Sequence, residues 1–90
     1  MIEDKVALGF GEMERNCHLY LDGAIIGAKE GEVEESRRYF VMAKSTINKF
    51  VQILGTNIEL WKQYWPAISR LINEMNDRKS LVDYRFGGAT

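Results

Sequence analysis

The sequence predicts an all-α fold, an antiparallel three-helix bundle with helices over about residues 2–29, 33–54 and 57–77. Three observations carry that expectation. Apolar residues recur at three-and-four spacing through three long stretches, the pattern of amphipathic helices. Gly31 and Gly55 divide those stretches where a helix end favours a left-handed backbone. A single proline in 90 residues leaves the elements long. The chain length makes one domain, and 46% hydrophobic with 28% charged residues is the composition of a folded core rather than a disordered segment.

The first helix carries Met13, Cys17, Tyr20, Leu21, Ala24 and Ala28 along one face. Gly9 and Gly11 weaken its N-terminal half, by up to ~1 kcal/mol each relative to Ala, so a bend near Phe10 is expected. Glu30-Gly31-Glu32 forms the first turn. The second helix places Val33, Phe40, Ala43, Ile47, Phe50, Val51 and Leu54 on its apolar stripe. Glu32, Glu34 and Glu35 fall at its start, where the helix dipole favours carboxylates, and Glu34 stands four residues before Arg38. Thr56-Asn57-Ile58-Glu59 matches a capping box that starts the third helix. That helix carries Trp61, Tyr64, Trp65, Ile68, Leu71, Ile72 and Met75. Pro66 interrupts it on the polar side; a full break at Trp65 would make four segments. Residues 1–80 are the bundle. Residues 81–90 read as an extended tail, because Val82, Tyr84 and Phe86 alternate with Asp83 and Arg85 before Gly87-Gly88. The expected core is Met13, Cys17, Leu21, Ala24, Ala28, Phe40, Ala43, Ile47, Val51, Trp61, Trp65, Ile68 and Ile72.

Gly23, Ala24, Gly27 and Ala28 line one helical face with small residues and predict close packing of the first two helices. The turn between those helices is short, which also makes them antiparallel neighbours. Ala24, Ser36, Phe40 and Ala43, with Gly31 at the turn and Tyr20 at an aromatic position, resemble a single tetratricopeptide-like helical hairpin. Gly23, Gly27 and Asn48 depart from that pattern, and the likeness covers about 34 residues where the solenoid needs several repeats. With a third helix the chain is equally similar to a microtubule-interacting-and-transport-like three-helix domain. Both resemblances imply a peptide- or protein-binding helical module without catalysis.

Trp61, Tyr64 and Trp65 form an aromatic cluster too large to bury whole in so small a bundle. Large aromatics dominate interface hot spots. The expected function is therefore a small non-enzymatic protein–protein interaction module, an adaptor that self-associates as a homodimer and docks a partner helix or peptide. Its binding residues would be Trp61, Tyr64 and Trp65, with Tyr39 and Tyr20 beside the hairpin. The alternative is an accessory subunit of a nucleic-acid-binding complex. The formal charge of −1 hides a segregation: residues 1–36 hold nine acids and three bases, and residues 37–90 hold four acids and nine bases. On that reading Arg37, Arg38, Lys44, Lys62 and Arg70 would contact phosphates.

Catalytic and metal readings find little. Cys17 and His18 are adjacent, so their side chains diverge on a helix, and a zinc site needs about four N or S ligands. Gly9-Phe10-Gly11 starts like a dinucleotide fingerprint, but Glu14 stands at the third glycine position. No catalytic residue, metal, cofactor or small-molecule substrate is expected. No run of eighteen uncharged apolar residues occurs, so no membrane contact is expected. One unpaired cysteine and an acidic N-terminus without an apolar signal core predict a cytoplasmic protein.

Overall fold

A computed structural model describes residues 2–84. The three predicted helices are present: α1 spans Ile2–Lys29, α2 Val33–Leu54 and α3 Ile58–Val82, with no strand among the described residues. They form an up-down-up rod measuring 47 × 17 × 14 Å.

Both turns close as their glycines require. At the end of α1, Gly31 sits at φ +79°. The Glu32 N–H donates to the Gly27 carbonyl at 2.8 Å and the Gly31 N–H to Ala28 at 3.1 Å, the paired bonds of a Schellman motif. Gly55 ends α2 at φ +56°, with its N–H shared between Val51 and Gln52 carbonyls. The cap of α3 is one residue later than the capping-box reading placed it. Asn57, not Thr56, is the N-cap, and its side chain accepts from the Leu60 N–H at 3.2 Å. Either side chain is chemically competent; Asn57 is the one whose side chain meets the open helix end. The expected Glu34–Arg38 pair is replaced by Arg37–Glu34 and Arg38–Glu35, each at 3.3 Å and three residues apart.

Neither α1 nor α3 is broken at these positions: α1 runs through Gly9–Gly11, and α3 through Pro66. Pro66 is exposed, so the missing backbone bond faces water. α3 also runs five residues past Asp77. Val82 is only 8% exposed, so an apolar contact holds the last turn where the alternation suggested an extended segment. Leu81–Tyr84 is thus helical rather than extended, and the rest of the expected tail, with Phe86 and its glycines, lies outside the described residues.

The core follows the stripes. Met13, Cys17, Leu21, Ala24 and Ala28 of α1 meet Phe40, Ala43, Ile47, Phe50 and Leu54 of α2, with Ile68 and Leu71 of α3 across them. Val51, Trp61 and Ile72 are half-buried rather than central, and Trp65 is 48% exposed, a correction to the expected core. Val6, Ser36 and Val82 join the buried set unexpectedly.

Packing is unequal between the pairs. α1 and α2 lie backbone to backbone along much of their length, whereas α3 approaches either of them closely at far fewer places. The small residues explain this. A Cβ added at Gly27 would already touch the Ser36 backbone at 3.4 Å. Across α3 the spacers are large: Phe10, Phe50 and Tyr64 form a ring cluster with centroids 5.1–5.5 Å apart.

Candidate functional site

The small residues that draw α1 and α2 together leave little to fill the space toward α3. At the end of the rod holding the α1–α2 turn, a groove of about 580 Å³ opens between α2 and α3. Ala28 and Ser36 stand at its base, and Phe40 and Ile47 of α2 face Ile72, Met75 and Val82 of α3. Val41, 68% exposed, continues the apolar wall outward. Arg37 and Lys44 on α2 and Lys79 on α3 stand along it, with Asp83 the one acidic side chain among the described residues. The size lies within the usual range of ligand sites. Since Val33 and Asn48 both line it, the groove follows α2 for about 22 Å at the rise of an α-helix.

One polar atom in the groove wall is unsatisfied. Ser36 is 1% exposed and its Oγ has no hydrogen-bond partner. A buried hydroxyl in that state costs about 1–3 kcal/mol.

The other flank of α3 is fastened to α1 by charge. Arg78 donates to Asp22 at 3.3 Å and to Glu74 at 3.0 Å. His18 Nδ1 stands 3.8 Å from the same Glu74 carboxylate. Partly exposed pairs of this kind contribute roughly 0–1 kcal/mol each, so they orient α3 more than they hold it. Cys17 lies beneath this clasp. Burial pushes its thiol up to about 11, the Glu74 carboxylate adds to the rise, and Arg78 opposes it. Such a thiol is a poor nucleophile at neutral pH.

The predicted aromatic residues do not share one face. Tyr64 is half-buried, packed between Phe10 and Phe50 against the core. Tyr20 and Tyr39 pair with each other, centroids 6.3 Å apart, with Tyr39 pressed against Gly23. Trp61 and Trp65 contact each other at 5.9 Å beside the α2–α3 loop, where the Trp61 indole N–H donates to the Gly55 carbonyl at 2.7 Å. Of these five, only Trp65 is exposed. The basic residues divide too. Arg37 and Lys44 line the groove, Arg38 pairs with Glu35, and Lys62 and Arg70 stand exposed on α3 away from it.

The groove brings in residues that the sequence reading assigned no site role: Val41, Ser36, Met75, Lys79 and Val82. Val41 carried a signal, an apolar residue beside the stripe and flanked by Arg37 and Lys44, each about one helical turn away on either side. Among the described residues, no group of His, Cys, Asp and Glu converges as a metal site, and no helix is long and apolar enough to cross a membrane.

No protein-family model matches this chain, and neither a curated protein nor a solved structure is similar to it. The tetratricopeptide-like spacing therefore stands on Ala24, Ser36, Phe40 and Ala43 alone.

Proposed function

We propose that the protein is a non-enzymatic interaction module that seats one amphipathic helix of a partner protein in the groove between α2 and α3. The observation that carries this reading is a long, largely apolar trough between two antiparallel helices, with Val41 on its outer wall open to solvent. Helix-in-groove recognition uses an apolar stripe at three-and-four spacing. A helix of about fifteen residues matches the trough in length and would complete a four-helix arrangement. This keeps the partner-helix expectation and moves it from the tryptophans to the groove. An unpaired, buried Cys17 suits a reducing compartment, and the cytoplasm is the location we propose.

The test is a titration of isotope-labelled protein with a synthetic sixteen-residue amphipathic helix bearing leucines at three-and-four spacing. Resonances of Val41, Ile47, Ile72, Met75 and Val82 should shift together, and Val41→Glu should abolish the response without unfolding the bundle. Shifts confined to Trp61 and Trp65 would return the site to the aromatic end. No shift at millimolar peptide would sink the docking reading.

A further inference from the structure

We infer that the helix seated in this groove is acidic along both edges of its apolar stripe, and that it belongs to a different protein rather than to a second copy set groove against groove. The inference rests on the docking reading above and adds the chemistry of the partner. Among the described residues, three cations border the groove against one acid. Arg37 and Lys44 are seven residues apart on α2, so their side chains stack on one helical face about 10.5 Å apart. Lys79 stands on the opposite wall. Among the described residues Lys44 and Lys79 make no ion pair, and Arg37 holds only the exposed Glu34 at 3.3 Å. Such a pair contributes little and exchanges readily.

A docked helix meets this arrangement with two carboxylates seven residues apart facing α2, and a third facing Lys79. The charges lie at the rim, so they steer and select more than they anchor. A second copy set groove against groove would be related by a two-fold axis, with identical patches facing. That geometry opposes Arg37, Lys44 and Lys79 with the same three cations, and like charges in apposition disfavour the pairing.

Three peptides sharing one leucine stripe test the inference on the full chain: edges of glutamate, glutamine or lysine. The glutamate peptide should bind about tenfold tighter than the glutamine peptide at low salt, the sum of several modest rim pairs, and lysine edges should bind weakest. The advantage should shrink as salt rises. Lys44→Glu with Lys79→Glu should reverse the order, favouring the lysine peptide; both positions are exposed, so the fold tolerates the change. Equal binding of glutamate and glutamine peptides overturns the charge inference while leaving groove docking intact. Failure of all three peptides removes the docking reading and this inference together. Concentration-dependent dimerisation lost on Lys44→Glu would show a second copy in the groove and overturn the assignment to a foreign partner.

Discussion

Three of the four glycines of α1 face different surroundings, and alanine should therefore do three different things to them. An added Cβ at Gly11 meets nothing within 4 Å. Gly11→Ala should then recover the helix propensity alone, ~1 kcal/mol of added stability, which in a domain of this size raises Tm by roughly 4–8 °C. At Gly23 the same Cβ would lie 3.0 Å from Cε1 and Cζ of Tyr39 and 3.1 Å from Cδ1. The ring is backed by Tyr20, so it shifts only against resistance. Overpacking of that kind costs about 1–3 kcal/mol, which cancels or exceeds the propensity gain. Gly27→Ala meets the Ser36 backbone of α2 at 3.4 Å and the Glu32 carbonyl just before it at 3.5 Å, ordinary contact distances, and should fall between the other two. Thermal unfolding followed by circular dichroism ranks them. Gly23→Ala in a Tyr39→Ala background supplies the decisive comparison, since removing the ring should turn the substitution stabilising. If Gly23→Ala raises Tm as much as Gly11→Ala does, the close approach of α1 and α2 is not what limits that position.

Three further outcomes follow from local contacts. Asn57→Ala should cost about 1 kcal/mol while Thr56→Ala changes little, read from denaturant midpoints; the reverse order would restore Thr56 as the cap. Ser36→Ala removes an unsatisfied hydroxyl and should stabilise the protein by ~1 kcal/mol, whereas a loss would mean that the hydroxyl is bonded in solution. Cys17 has a pH signature. Its thiol is held at about 11 in the fold against an ordinary 9.0, so between those values the unfolded chain gives up the proton first and stability falls as pH rises. Cys17→Ala should remove that component of the alkaline decline, measured as the difference between the two proteins' unfolding free energies from pH 8 to 11.

What could be read before the fold was known was whatever depends on neighbours in sequence. Periodicity located the helices, and Gly31 and Gly55 located the turns, because a left-handed residue is a local requirement. What could not be read depends on partners in space. Tyr64 and Trp65 are adjacent and equally aromatic, and only Phe10 and Phe50 decide that Tyr64 packs against the core while Trp65 stays exposed. The groove was hidden for the same reason. It arises because small residues on α1 and α2 meet while larger ones hold α3 at a distance, and that difference emerges only when three faces are assembled. Pro66 was legible for a local reason, its place on the polar side of the third helix. A proline on the water side of a helix leaves its broken hydrogen bond to solvent, so the helix continues.

The Trp61 bond to the Gly55 carbonyl has a spectroscopic consequence. Both tryptophans of the chain sit together beside the α2–α3 loop, at the opposite end of the rod from the groove. Intrinsic emission is therefore a one-ended gauge. It reports the loss of the loop that hinges α3 to the hairpin, and it stays silent when a ligand enters the trough. If α3 peels from the α1–α2 hairpin before the hairpin melts, fluorescence and far-ultraviolet dichroism should separate into two transitions, with the tryptophans leading.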